Sequence, residues 1–371
     1  MEYKRYPRLR CDLSRLRRNV ESVTRRCHAA GIRVAGVVKG ANGLLPITEQ
    51  YALGGCDQIA SSRLDQLERA AGLGLPTMLI RVPMRCELED VARVCDYSLE
   101  SDADTLTELN ALCARQNRRH KVVLMADLGD LREGWWDKDE LTVQALRVER
   151  ELSHLDLAGI GTNLGCYGAI VPTVEKMEEL AALAARIEAA IGRKLEIVSG
   201  GATTSFRLVH QGTMPAGINH LRIGEAILVN YDLPHEWGIS DLDDLSSQVF
   251  TLQAQVLECR RKPSYPEGEI FIDAFGRRQE YPSRGMRRRA LIGVGKLDLG
   301  SAMRLIPRDV GIEILGGSSD HTILDVEDCP RPLKAGDILE FDLDYTAVLF
   351  LTAGSYVALD FLPVEESAAL C

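Results

Sequence analysis

The sequence predicts an (α/β)8, TIM-like barrel followed by an all-β C-terminal domain, and three observations predict it. From about residue 13 to 232, helical stretches with 3.6 periodicity separate short β-like runs. Eight such runs occur, each next to a helical stretch, which suits a closed parallel sheet. Beyond about residue 232 the texture changes to short alternating runs broken by turns. A chain of 371 residues is too long for one compact core, so two domains are expected.

The barrel strands are expected at 34–38, 57–60, 77–82, 96–99, 121–126, 157–161, 195–199 and 220–223, with helices at 62–73, 101–118, 138–154 and 172–191. Asp102, Asp104 and Thr173 have the residue types favoured at helix caps and first turns. The stretch from Leu233 to Ser247 is polar and turn-rich. After it, strands are expected at 248–257, 269–274, 289–295, 311–315, 321–326, 338–343 and 346–351, separated by Pro266-Glu267-Gly268, Gly316-Gly317 and Lys334-Ala335-Gly336-Asp337. The predicted domains are 13–234 and 235–371, with residues 1–12 pairing into the second through Arg8-Leu9-Arg10-Cys11.

Composition narrows the functional classes. A net charge of −10 implies no basic face, which argues against a nucleic-acid partner. The arginines at 284 and 287–289 read as a solvated or interface turn. No window has the apolar length of a membrane span, and no signal peptide is recognised at Met1–Tyr6, which predicts a cytoplasmic protein with no membrane partner. The ten cysteines are scattered, with no Cys-x-x-Cys pair and no zinc spacing. That pattern suits a reducing compartment and predicts no metal.

In a barrel of this kind the working residues lie where strands end and loops begin. Those ends offer Lys39, Arg81, Asp127 with Arg132, Thr162-Asn163, Ser199-Gly200-Gly201-Ala202-Thr203-Thr204, and Arg222 with Gly224-Glu225. Lys39 follows the apolar run Val34–Val38, where a lysine is well placed to form a Schiff base with an aldehyde cofactor. The two glycines at 200–201 let the backbone approach an anion, and a helix expected from about Thr204 would add free N–H groups. Alone, the lysine reads as a surface residue and the glycine turn needs no ligand. Together on one rim, a lysine, an anion cradle and an arginine point to a site. Trp135-Trp136 reads as a rim or interface pair.

The ordered series Val37-Val38-Lys39, Asp127 to Gly134, Gly159 to Leu164, Ser199-Gly200-Gly201, Leu221 to Ala226, Asp273 to Gly276 and Gly316 to His321 resembles the alanine racemase family of pyridoxal-phosphate barrel enzymes, and within it the ornithine racemase branch. The resemblance spans essentially the whole chain. It implies that Lys39 carries pyridoxal 5'-phosphate and acts as acid and base on one face of the substrate carbon. It implies that Arg222 faces the pyridine nitrogen, that Thr203 with the backbone of Gly224 and Glu225 cradles the phosphate, and that Asn163 contacts the ring. Arg132, Ser319 and Asp320 correspond to substrate-binding positions. A head-to-tail homodimer is implied, the β domain of one subunit completing the site of the other.

Three positions depart from alanine racemases. Met125 stands where a carbamylated lysine is often found, Phe275 where a catalytic tyrosine is expected, and Gly43 where another tyrosine is expected. These favour the ornithine branch, and a free amino acid such as ornithine or another dibasic one as substrate. Phe275 cannot transfer a proton, so the second acid/base is sought among His321, Asp273 and Tyr281. Histidine is the side chain whose charge changes near neutral pH. Asp273, Asp320 or Glu225 would suit a distal ammonium, which is costly to bury unpaired. The alternatives are an alanine or broad-spectrum racemase, or a non-catalytic pyridoxal-phosphate-binding protein. An aldolase or dehydratase of the same fold is disfavoured because no histidine precedes a cysteine by two, and a decarboxylase because Arg222 replaces a glutamate.

Overall fold

The computed structural model describes residues 6–278 and 280–364. Eight parallel strands close into a barrel in chain order: Arg33–Val37, Gln58–Ser61, Thr77–Leu79, Tyr97–Glu100, His120–Met125, Leu155–Gly161, Ile197–Ser199 and His220–Ile223. They are called barrel strands one to eight below. Strand one pairs with both strand two and strand eight, which closes the ring. The interior is packed by alternate residues, among them Val37, Met78, Tyr97, Leu99, Val123, Met125 and Ile197. A period of two along each strand sends every second side chain inward.

The predicted helices are present as Leu64–Ala70, Ala103–Arg115, Lys138–Glu151 and Val174–Ile191. Asp102 caps its helix by accepting from Thr105 N, and Thr173 accepts from Lys176 N. Each such cap satisfies an amide that the helix cannot. Helix Leu13–Ala29 precedes strand one, and helices Leu45–Leu53 and Leu88–Val94 supply the crossovers after strands one and three.

The described residues divide into two compact units, one spanning Arg15–Ser246 and the other joining those up to Ser14 to those from Ser247 onward. Buried Asn19 explains why the barrel unit runs to Ser246. Its amide donates to Ser246 O at 2.9 Å, and its carbonyl accepts from Ser246 N at 2.7 Å.

The second unit is built on a largely antiparallel eight-stranded sheet. Strand Arg8–Asp12 pairs antiparallel with Phe250–Pro263 and parallel with Ala358–Leu362. Two sequence expectations fail here. Residues 269–274 form no strand, because Asp273 Oδ1 accepts from Phe275 N and Arg277 N and folds the chain into a turn. Residues 346–351 lie in the helix Tyr345–Ala353, capped by Asp344 Oδ1 accepting from Ala347 N at 2.8 Å. A short unbroken apolar run fits a buried strand or a buried helix equally, and the cap decides it. Strands Leu305–Pro307 and Ala358–Leu362 were not anticipated.

Candidate active site

Five segments at the C-terminal ends of the barrel strands build the candidate site. After strand five, Asp127 Oδ1 accepts from Gly129 N at 2.8 Å and Leu131 N at 3.2 Å, winding the loop back on itself. Asp127 N then donates to Trp135 O, and Trp135 N to Met125 O. At Gly134, with φ +122°, a side chain would meet Asp127 N at 2.7 Å, so only glycine lets the loop close this tightly. The loop after strand six is clamped to it: buried Asp130 accepts from Cys166 N at 3.3 Å and Tyr167 N at 3.1 Å. Arg132 and Cys166 are thereby brought together, with Arg132 Nη1 2.8 Å from Cys166 Sγ. Arg132 also pairs with Glu133, which raises its pKa. Trp135 is buried and only Trp136 is exposed, so the two do not form one rim pair.

Lys39 begins a one-turn 3-10 helix, Lys39–Ala41, directly after strand one. Lys39 is exposed to water, although protein also crowds its ammonium. That desolvation, and then the charge of Arg132, lower its pKa, against smaller opposing effects of Cys166 and Glu133. Among the described residues its ammonium has no hydrogen-bond or ion-pair partner. A lysine in this state supplies a neutral amine more readily than one surrounded by water alone.

Arg222, on strand eight, is 4% exposed and has no carboxylate partner among the described residues. Its Nη2 donates to Thr162 O at 2.8 Å and its Nη1 to Ser199 Oγ. Burial lowers its pKa to about 10, which leaves it charged at neutral pH. Asn163, from the strand-six loop, has a buried Nδ2 with no hydrogen-bond partner. After strand seven, Gly201 adopts φ +114° and the helix Thr203–His210 begins. Its first-turn amides have no partners within the helix. Thr203 Oγ1 accepts from Ala226 N at 3.3 Å, so the start of this helix and the Gly224–Ala226 segment lie side by side. The Glu225 carboxylate serves a different end: Oε1 accepts from Tyr231 N and Asp232 N. Burial and then the charge of Asp232 raise its pKa to about 7.

A family model described as "Alanine racemase, N-terminal domain" matches residues 11–232, the greater part of the chain. The chain belongs to the alanine racemase family. It is similar over its length to the ornithine racemase of Acetoanaerobium sticklandii, at 36% identity covering 96% of this chain and 100% of that protein. It is also similar to the lysine racemase of Thermotoga maritima, at 37% identity over 96% and 99% of the two chains. Among solved structures, an alanine racemase from Bartonella henselae with covalently bound pyridoxal phosphate shares the fold, with TM-score 0.69, 17% identity, and coverage of 96% of this chain and 99% of that one.

The remaining sequence candidates lie in the β unit and fall into two groups. A cavity of about 380 Å³ is lined by Asp273, Phe275, Tyr281, Arg284, Arg289 and Ser318, among others. A second, of about 560 Å³, is lined by Asp298, Asp320, His321 and Tyr356, among others. Asp273 and His321 therefore line different cavities. Ser319 and Ser318 offer their carbonyls to Leu297 N and Lys296 N, which fixes the turn that displays Asp320 and His321. Phe275 is covered by Lys296 Nζ, 3.4 Å from the ring centroid.

Sequence reasoning missed four residues of the barrel site. Glu133 sits inside a quoted motif and Cys166 just beyond one, but both earn their place only through the folded loops. Ser199 was read as part of a glycine turn. His220 was passed over, although it shares a strand face with Arg222 two residues on. Among the described residues no cluster of three or more His, Cys, Asp or Glu is placed to hold a metal.

Proposed function

We propose that this chain racemises a free amino acid with pyridoxal 5'-phosphate as cofactor, ornithine being the favoured substrate and lysine the next dibasic candidate. The observation that carries this reading is the Lys39 amine, unpartnered among the described residues, at one barrel rim with a buried guanidinium, Arg222, that no described carboxylate pairs with. The full-length likeness to an ornithine racemase and a lysine racemase supports the substrate class.

The residues present fit the cofactor. The set offers a free amine, an unpaired buried amide donor at Asn163, a guanidinium, and first-turn amides beside Gly201, which suits an anionic group with an aldehyde. Lys39 would hold it covalently, and Thr203 with the backbone of Gly224 and Glu225 would hold the phosphate. Asn163 Nδ2 would reach the ring, and Arg222 would donate to its nitrogen. When bound, pyridoxal phosphate supplies a carbonyl for the substrate amine and an electron sink for the α-carbon.

Lys39 Nζ takes the α-proton from one face and returns it, and its lowered pKa favours the neutral amine that this work needs. Arg222 does not surrender its proton near neutral pH, so it tempers the electron sink and favours prompt return of the proton over decarboxylation or transamination. Arg132 binds the substrate carboxylate as a charged donor.

The opposite face needs a second acid/base. We assign it to the β unit of a second subunit in a head-to-tail homodimer, with His321 preferred over Asp273. Asp273 Oδ1 already accepts from Phe275 N and Arg277 N, whereas His321 shares its cavity with Asp320, and Ser319 lies in the same turn. In that cavity, burial and the charge of Asp320 raise the pKa of Asp298. This concentration of negative charge suits a substrate's second ammonium. The free state of the nine described cysteines supports a cytoplasmic location. Among the described residues no helix is long and apolar enough to cross a membrane.

The test is chiral chromatography of the cofactor-loaded protein after separate incubation with L-ornithine, L-lysine, L-alanine and L-serine. D-Ornithine with little D-alanine is the expected result. Alanine turning over fastest refutes the dibasic preference, and no turnover of any of the four refutes the racemase reading. An active monomer on a sizing column refutes the homodimer.

A further inference from the structure

Beneath Arg222 lies a chain of buried polar side chains to which the proposed mechanism gives no task. Arg222 Nη1 donates to Ser199 Oγ. Ser199 Oγ lies 2.8 Å from His220 Nδ1, and His220 Nε2 lies 3.0 Å from Gln58 Oε1. The four residues come from barrel strands eight, seven, eight and two. All are buried, His220 at 1% exposure and Ser199 at 1%.

The direction of the protons in this chain follows from its two ends, the Arg222 donor and the Gln58 Oε1 acceptor. A guanidinium only donates. Ser199 Oγ therefore accepts from Arg222, and its single proton is left to point at His220 Nδ1. Gln58 Oε1 can only accept, so the imidazole proton sits on Nε2, and in the neutral ring Nδ1 keeps the lone pair that accepts from Ser199. A protonated imidazole would have hydrogen on both nitrogens and would turn Ser199 into a double acceptor with an orphaned proton. It would also place a second cation in a buried site already facing Arg222 and Arg33. Those two charges are the ionic groups acting on His220, and with burial they hold its pKa well below the ordinary histidine value.

We propose that His220 is a positioning residue for the reaction. Acting through Ser199 as a neutral imidazole whose tautomer Gln58 fixes, it holds the Arg222 guanidinium in one orientation. A neutral acceptor orients the guanidinium without cancelling its charge, which a carboxylate in the same place would do. The functional part of this inference rests on the proposed pairing of Arg222 with the cofactor ring. The proton arrangement does not, because it is a property of the cofactor-free chain.

Two measurements test it. Nitrogen-15 NMR of the cofactor-free protein, with the signal assigned by its loss in His220→Asn, should show a neutral Nε2–H imidazole from about pH 6 to 8. An Nδ1–H tautomer, or a charged ring at neutral pH, overturns the relay. In the loaded enzyme, His220→Phe and Ser199→Ala should each lower kcat about tenfold or more with KM little changed, as expected for a lost hydrogen bond to a charged group. His220→Asn restores an acceptor oxygen toward Ser199 and should recover most of that loss, which a purely space-filling role would not produce. Wild-type kcat in Ser199→Ala overturns the positioning role even if His220→Phe fails to fold. If the unsubstituted chain turns over no amino acid, the proposed function fails and the tautomer alone decides the relay.

Discussion

Replacing Asp130 with alanine should loosen the candidate site without touching a residue assigned to chemistry. Asp130 is 1% exposed, and its two carboxylate oxygens accept from Cys166 N at 3.3 Å and Tyr167 N at 3.1 Å. A hydrogen bond to a charged group contributes about 1.5–3 kcal/mol net. These two are long, so the lower figure applies to each, and their loss costs about 3 kcal/mol. The clamp is local, and its release appears first as local opening of the strand-six loop. At about 1.4 kcal/mol per tenfold, the amides near Cys166 and Tyr167 should exchange with deuterium about a hundredfold faster. Hydrogen exchange followed by mass spectrometry reads this directly, with the helix Val174–Ile191 as an internal control. Arg132 rides on the same pair of loops, so KM should rise more than kcat falls. Exchange rates near 166–167 within about threefold of wild type would show that the loops hold themselves without the carboxylate, and the clamp argument fails.

Further expectations concern charge and chemistry. Glu100 is fully buried, donates nothing to its neighbours in its ionised form, and has its pKa raised to about 8 by burial. A carboxyl whose folded pKa lies above its unfolded value stabilises the fold below the unfolded pKa, and that contribution is lost as pH rises from about 4.5 to about 8. Glu100→Gln should therefore raise the thermal midpoint more at pH above about 8 than at about pH 5, and an equal effect at both contradicts the assigned shift. Phe275→Ala should retain substantial racemisation, since a phenyl ring transfers no proton; loss of all turnover with normal cofactor binding would place an essential contact there. Asp344→Ala removes the cap of the helix Tyr345–Ala353 and should cost about 1 kcal/mol in urea unfolding, an unchanged midpoint meaning the cap is dispensable.

The barrel was legible in the sequence because its signal is repeated. Eight short apolar runs at near-regular spacing leave few other folds, and each rim position could be named from the run before it. Lys39, Arg132, Asn163, Thr203 and Arg222 were found that way. The β unit was harder because its elements are short and unlike one another. The run at 346–351 has no alternation to separate strand from helix, and only the cap at Asp344 tells them apart. Asp273 was read on a strand, but its own carboxylate makes a turn of that segment. Trp135 and Trp136 are neighbours in sequence that the strand-five loop sends to opposite fates, one buried and one exposed. His220 and Gln58 carry no motif; they meet because barrel closure brings strands two and eight to either side of strand one. Such a contact is invisible to any reading confined to local windows.

The central claim is that Lys39 carries the cofactor, and borohydride reduction tests it most directly. The pyridoxal-phosphate-loaded protein is reduced, digested and mapped by mass. The account predicts a pyridoxyl adduct on the peptide containing Lys39, and no such adduct in Lys39→Ala. An adduct on another lysine, with Lys39 unmodified, contradicts it.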